Sequence, residues 1–206
     1  MKKNERLVEL LFGDVKLKPE EIEERYPSRK LADGAKVTRL APSPTGFIHL
    51  GNLYGAFVDE RLAHQSGGRF YLRIEDTDEK RYVEGAVDTI IKSLDYFGIK
   101  FDEEGEYGPY YQSMRTDIYR CFAKKLFEEG RAYPCFLSES EIDEIRRKQE
   151  ADKATPGIYG KYSTYKDMSD DEVIAMLEEG KSFVLRLKSQ GREGEAARKM
   201  EIEKQS

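Results

Sequence analysis

The strongest constraint in this sequence is the stretch Arg39–Asn52, Arg-Leu-Ala-Pro-Ser-Pro-Thr-Gly-Phe-Ile-His-Leu-Gly-Asn. Pro42 and Pro44 stand two apart, so neither a helix nor a sheet ladder can run through Ala41–Gly46. This obligatory loop sits between two regular patterns. Lys36–Leu40 reads as a short strand, and Gly51–Gln65 has Leu53, Phe57 and Leu62 with Ala56 and Ala63 at helical spacing, ended by Gly67-Gly68. Arg69–Glu75 then alternates Phe70, Leu72 and Ile74 against polar neighbours, a strand pattern. Val87, Ile90, Ile91, Leu94 and Phe97 recur at helical spacing, with Gly98 as a stop. Strand, loop, helix, strand, helix is the mark of a parallel α/β unit. Open sheets of that kind take their ligands outside the carboxyl ends of the strands, which is where this loop must lie.

Composition narrows the class further. Charged residues make up 36% of the chain against about 25% in ordinary globular domains. Thirteen Tyr and ten Phe still allow a packed core. Two Cys cannot build a disulfide framework and suggest a reducing compartment. No apolar run reaches the roughly 18 residues needed to span a bilayer, and acidic residues interrupt the N-terminal segment where a signal peptide would stay apolar. A cytoplasmic protein without membrane contact is therefore expected; a monomer is expected beside it, although the sequence does not give the oligomeric state. The net charge of −5 argues against a general nucleic-acid coat.

Four regions are expected. Residues 1–35 form a helical N-terminal extension, with helices at Asn4–Leu11 and Pro19–Tyr26. Residues 36–108 hold the α/β unit, 109–188 its end and an inserted α+β subdomain, and 189–206 a charged tail, helical or disordered. Within the third region Gln112–Glu129 reads as a helix. Ala132–Phe136 reads as a strand and is counted as the third strand of the parallel sheet. Ser138-Glu139-Ser140-Glu141 and Ser169-Asp170-Asp171-Glu172 fit the capping-box pattern and open two helices, and Phe183–Leu187 alternates as a strand.

The chemistry concentrates in two stretches. The Pro42–Gly46 loop delivers His49 to the mouth of a helix, whose N-terminus offers backbone N–H groups and a partial positive charge to phosphate. His49 can donate to a phosphoryl oxygen, and Gly51 lets a flat nucleotide approach the backbone. A lone His there would ordinarily be a cap or a surface residue, and the loop context favours the functional reading. In Leu72–Asp78, alternation sends Arg73 and Glu75 to one face, with Asp76 and Asp78 at the strand's carboxyl end. Those carboxylates could hold Mg²⁺, grip an ammonium group or cap the following turn. Taken alone, capping is the favoured reading.

Together these stretches resemble the class I aminoacyl-tRNA synthetases and, within them, the glutamyl-tRNA synthetases. The resemblance rests on Arg39–Asn52, on Gly67–Asp78, on Tyr110-Tyr111-Gln112-Ser113-Met114-Arg115 and on Arg131–Phe136, and covers about residues 36–190. His49-Leu50-Gly51-Asn52 looks like the family's His-Ile-Gly-His signature with Asn at the last place, which is ordinary in the glutamate branch. The glutamine branch fits less well, having Pro-Glu-Pro-Asn where this chain has Pro42-Ser43-Pro44-Thr45. The resemblance implies a Rossmann-like parallel sheet and the use of ATP with Mg²⁺. It implies His49 and Gly51 as catalytic, and ATP contacts from Pro42, Ser43, Thr45, Gly46, His49, Gly51 and Asn52. It implies glutamate contacts from Arg39, Ala41, Ser43 and Glu75, with Arg39 on the side-chain carboxylate and Glu75 on the α-ammonium group. A guanidinium fork suits the first of these tasks. The partners implied are L-glutamate and the acceptor end of tRNA-Glu, with Lys161, Lys166, Arg186 and Lys188 as candidate phosphate contacts. Some relatives bind zinc in this region. Here Cys135 is followed by Phe136-Leu137 and no His follows His64, so no zinc and no other protein-bound metal is expected, with Cys121 and Cys135 as buried small hydrophobes.

The family's second signature, a mobile Lys-Met-Ser-Lys-Ser-like loop, has no counterpart in these residues; Lys199-Met200-Glu201-Ile202 shares two of its letters by chance. The chain thus reads as the front portion of a longer enzyme. Two rivals stand beside that reading: a glutamyl-queuosine tRNA synthetase-like enzyme, and a non-catalytic ATP- or tRNA-binding paralogue. Without the lysine loop, the 206 residues alone should not form glutamyl-adenylate, since losing one donor to a developing charge costs about 10²–10³ in rate. Incubation with glutamate, labelled ATP, Mg²⁺ and tRNA-Glu checks this. Adenylate formation at the rate of a complete enzyme would contradict it.

Overall fold

A computed structural model describes residues 4–102, 105 and 107–188. The charged tail expected over 189–206, including Lys199–Ile202, lies outside the described residues. In chain order the elements are α1 Glu5–Phe12, α2 Pro19–Arg25, β1 Val37–Leu40, α3 Leu50–Gln65, β2 Arg69–Leu72 and α4 Ala86–Tyr96. They continue with α5 Thr116–Glu128, β3 Ala132–Cys135, α6 Glu139–Ala151, α7 Asp170–Glu178 and β4 Val184–Leu187. The described residues fall into two compact units, 17–119 and 4–16 with 120–188. Residues 4–35, which the sequence presents as one extension, are thus divided between them. None of the described helices is long and apolar enough to cross a membrane.

In the first unit β1 and β2 pair in parallel, Val37 against Arg69 through Leu40 against Leu72, with α3 as the crossover. The close turn from α3 into β2 depends on Gly68. A Cβ there would stand 1.8 Å from the Lys36 carbonyl oxygen, the oxygen that accepts the Arg69 N–H at 3.0 Å. Gly67 before it takes φ +67°. The core is Leu40, Ala56, Ala63, Phe70, Leu72, Ile74, Ile90, Leu94 and Ile99. α3 lies on the sheet through its small residues, with Ala56 and Ala63 fully buried and Leu53 packed beside them. Phe57 and Leu62, which with these residues gave the helical spacing, are exposed. Alanines on the inner line let the helix approach until the Thr38 hydroxyl donates to the Asp59 carbonyl at 2.7 Å, which leaves no room for larger side chains.

One further departure concerns the third strand. Ala132–Phe136 does not join the parallel sheet; β3 pairs antiparallel with β4, Ala132 against Leu187 through Cys135 against Val184. Alternation fixes which face a side chain takes and leaves the neighbouring strand open, so a four-residue strand buried on both faces fits either sheet. The third position beside β2 is taken by the Tyr110–Gln112 segment, where the Ile74 N–H donates to the Tyr110 carbonyl at 2.8 Å and the Gln112 N–H to the Ile74 carbonyl at 2.9 Å.

The second unit packs α1, α5, α7 and the β3–β4 pair around Leu7, Leu11, Phe12, Phe127, Ala132, Phe136 and Val173. Both capping boxes form: Ser138 and Ser169 each accept the N–H three residues on at 3.3 Å, while Glu141 and Glu172 reach back to the serine N–H at 2.8 Å. Cys121 and Cys135 are buried in this unit and are not joined by a disulfide.

Two glycines separate geometry from propensity. Gly68→Ala should cost about 2–4 kcal/mol, because its Cβ meets backbone that cannot move without breaking the β1–β2 pairing. Gly55→Ala, inside α3 with nothing within 4 Å of the new atom, should stabilise by about 0.5–1 kcal/mol. Denaturant midpoints of the two variants check the pair.

Candidate active site

The parallel pairing brings the ends of β1 and β2 together, and both candidate stretches leave from there. The Glu75 N–H donates to the Pro42 carbonyl at 3.0 Å and the Val83 N–H to the Pro44 carbonyl at 2.9 Å, so the proline loop is pinned from the far side. The Thr45 N–H turns back onto the Ser43 carbonyl at 2.8 Å, and Gly46 takes φ +137°, a conformation that favours glycine. Beneath the loop lies a pocket of about 200 Å³ lined by Pro42, Ser43, Thr45, Gly46, His49 and Asn52, together with Phe47, Ile48, Arg81 and Ile90.

His49 is the N-cap of α3. Its Nδ1 accepts the Asn52 N–H at 3.3 Å, while its carbonyl accepts the N–H groups of Asn52 at 3.0 Å and Leu53 at 3.2 Å. With Nδ1 accepting, the ring proton belongs on Nε2, so the capping imidazole keeps a donor for another group. Capping and phosphate binding, alternatives in the sequence, are compatible roles for different ring nitrogens. Gly51 serves the same arrangement: a Cβ there would stand 3.0 Å from both Cε1 and Nδ1 of His49, so the ring would have to shift by a few tenths of an ångström.

Arg39, at the end of β1, donates from Nη1 to Glu75 Oε1 at 3.0 Å, and Arg73 donates from Nη2 to the same oxygen at 2.8 Å. Arg39 and Glu75 remain 36% and 32% exposed, so both are reachable by a ligand. The hydrogen bond from Arg73 is the main reason the Glu75 carboxyl lies below its ordinary value near 4.5, helped by Arg39 against the opposing effect of burial. Burial raises the Asp59 carboxyl on α3, and the charge of Arg39 only partly offsets that. Ala41 stands between Arg39 and the proline loop.

The other two carboxylates cap turns. Asp76 accepts the Ser113 N–H at 2.9 Å and the Ser113 hydroxyl at 2.6 Å, holding the 3-10 turn Ser113–Arg115 that leads into α5. Asp78 accepts the Arg81 N–H at 3.2 Å and Arg81 Nε at 2.6 Å. Among the described residues no group of three or more His, Cys, Asp or Glu side chains stands together to hold a metal ion.

The sequence singled out neither Arg73 as a partner of Glu75 nor Arg81 as a pocket residue, although alternation had placed Arg73 on the face of Glu75. A second pocket, of about 300 Å³, also went unread; Tyr26–Arg29 line it with Tyr71, Arg73, Tyr107, Tyr110 and Arg115. The candidate phosphate contacts lie in the other unit: Lys161 in the 3-10 turn Gly160–Tyr162, Lys166 just after it, Arg186 opposite Tyr133 on β4, and Lys188 beyond the strand.

A family model described as tRNA synthetases class I (E and Q), catalytic domain, matches residues 36–201. A glutamate--tRNA ligase of Acetivibrio thermocellus is 61% identical over 173 residues, 81% of this chain and 32% of the relative. One from Clostridium perfringens strain 13 is 52% identical over 195 residues, 91% of this chain and 36% of the relative. The crystal structure of glutamate-tRNA synthetase from Elizabethkingia anophelis aligns with TM-score 0.65 at 36% identity, over 74% of this chain and 32% of that one. The chain spans about a third of the length of the curated relatives it matches.

The hydrogen bonds predict a selective acid response. Burial pushes the Asp76 carboxyl up, but the bonds from Ser113 outweigh it, and the group lies below its ordinary value near 3.8. A lowered folded value means that stability from Asp76 is complete above that ordinary value and is lost as pH falls through the lowered one. Ser113→Ala should therefore move the Asp76 titration upward and leave that of Glu75 in place. Carboxyl-detected NMR titration of both groups checks it.

Proposed function

The chain belongs to the class I tRNA synthetases of the glutamate and glutamine group, and from this we infer that it is the front portion of a glutamate--tRNA ligase. The observation that carries this reading is the junction of an oppositely charged pair, Arg39 and Glu75, with a loop-covered pocket at the capped start of α3. Such a junction suits a substrate with an ammonium group, a side-chain carboxylate and a triphosphate partner.

In the complete ligase, ATP lies over His49–Asn52 in the pocket bounded by Pro42, Ser43, Thr45 and Gly46. The Nε2–H of His49 donates to phosphate, and the start of α3 adds its partial positive charge. Gly51 acts by keeping the imidazole on its cap and by leaving the backbone open. Arg39 takes the glutamate side-chain carboxylate, Glu75 the α-ammonium group, and Ala41 and Ser43 line the path between them. The α-carboxylate then attacks the α-phosphorus in line. The bond from that phosphorus to the bridging oxygen breaks, pyrophosphate leaves, and glutamyl-adenylate passes its acyl group to the terminal ribose of tRNA-Glu. The residues contribute positioning and charge stabilisation. Mg²⁺ bound to the triphosphate would shield the phosphate charge that His49 and the start of α3 also meet. The segment 109–188 meets the acceptor end, with Lys161, Lys166, Arg186 and Lys188 as phosphate contacts, and the protein works as a cytoplasmic monomer.

Two substitutions divide the site. His49→Ala should weaken ATP binding to the chain by several-fold, as loss of a charge-assisted donor and a helix cap together require. Arg39→Ala should leave ATP affinity in place and, in the complete ligase, weaken glutamate use by about 1.5–3 kcal/mol. ATP titrations and glutamate kinetics check this. Equal ATP affinity with and without His49 would remove the nucleotide assignment, and ATP defects with normal glutamate kinetics in Arg39→Ala would move Arg39 to the nucleotide side.

A further inference from the structure

Arg39 and Glu75 are each other's counterions: the Arg39 Nη1 lies 3.0 Å from Glu75 Oε1. A glutamate molecule competes with that pair, because its side-chain carboxylate seeks the guanidinium and its ammonium group seeks the carboxylate. The two partners are held unequally. Glu75 also receives Arg73 at 2.8 Å on the same oxygen, and its own backbone N–H is tied to the Pro42 carbonyl at 3.0 Å. Arg39 has a long, flexible stem and sits 36% exposed at a strand end, with Asp59 as the next carboxylate in its field.

We propose that the Arg39–Glu75 ion pair is a charge lock that only a ligand carrying both an ammonium group and a distal carboxylate opens, and that Arg73 is the positioning residue that keeps Glu75 in place when Arg39 swings away. This rests on the glutamate reading given above and adds to it the origin of selectivity. L-Glutamate replaces both halves of the broken pair, so the exchange is balanced in charge. Glutarate supplies a carboxylate for Arg39 but brings its second negative end toward Glu75 with no ammonium group to receive it. L-Glutamine satisfies Glu75 but offers Arg39 only a neutral amide. Selectivity then comes from unpaired charge in the wrong complexes as well as from contacts in the right one.

The test is an NMR titration of the chain with L-glutamate, L-glutamine and glutarate, following the Arg39 Nε–H signal and the Glu75 carboxyl carbon. In the unmodified chain glutamate should shift both signals, and glutarate should bind more weakly. In Glu75→Gln, which keeps size and removes the charge, Arg39 is released, so glutarate should bind about threefold or more tightly than to the unmodified chain while glutamate weakens. A gain of that size is what freeing a half-exposed ion pair can supply, and a merely structural Glu75 would not produce opposite signs. In Arg73→Gln, Glu75 is free to follow Arg39, and the preference for glutamate over glutarate should fall; Arg73→Lys should recover part of it. Backbone amide spectra report whether each variant is folded, and Arg73→Gln decides the matter if Glu75→Gln is not. Glutarate binding unchanged or weakened in Glu75→Gln, with glutamate still binding the unmodified chain, overturns the lock alone. Failure of glutamate to perturb Arg39 or Glu75 in the unmodified chain overturns the glutamate reading and the lock with it.

Discussion

The approach of Gly68 to Lys36 is the contact on which the rest of the first unit depends. Because position 68 carries no side chain, α3 can end and β2 can begin directly against the start of β1, with the Arg69 N–H on the Lys36 carbonyl. That fixes the register of a four-residue parallel pair, and register decides everything downstream. A slip of one residue would send Arg39 to the core face and Leu40 to solvent. In the observed register Leu40, Leu72 and Ile74 join the core, while Arg39, Arg73 and Glu75 meet on the other side.

From that register two devices follow, each using one side chain twice. His49 caps α3 through Nδ1 and retains Nε2 for a ligand, with Gly51 beside it as the clearance the ring requires. Glu75 is a structural acceptor for Arg73 and, at the same oxygen, a partner for Arg39. The structural bond holds the group ready, and the second bond is the one a ligand can replace. Asp76 and Asp78 hold the turns after β2.

How far the sequence could be read depended on whether the signal was local. Ser138 and Ser169 announce their helices because a cap concerns only the next three residues, and the structure places them as caps of α6 and α7. The two prolines at 42 and 44 forced the loop, and Gly67-Gly68 ended α3 where expected. Choices between distant partners were not legible. Nothing in Ala132–Phe136 says that it pairs with Val184–Leu187 rather than with β2, and nothing in Tyr110–Gln112 announces the bridge to Ile74. The spacing in α3 announced a helix without saying which side faces the sheet, and close approach selected Ala56 and Ala63 over Phe57 and Leu62. Of the candidate site, Arg39, His49 and the proline loop came from motif and spacing. The doubled use of Glu75 needed coordinates, because two guanidiniums on one oxygen is a fact of distance.

The central claim is that adenylate chemistry belongs at the junction of the proline loop, His49 and the Arg39–Glu75 pair. A stable, non-hydrolysable analogue of glutamyl-adenylate, titrated into the isotope-labelled chain, tests it most directly, since one molecule spans both halves of the site. The account predicts perturbations at Arg39, Ser43, His49, Asn52 and Glu75, with the signals of the Tyr26–Arg29 and Tyr107–Arg115 segments changed little. Binding confined to those two segments, which line the larger pocket, would contradict it.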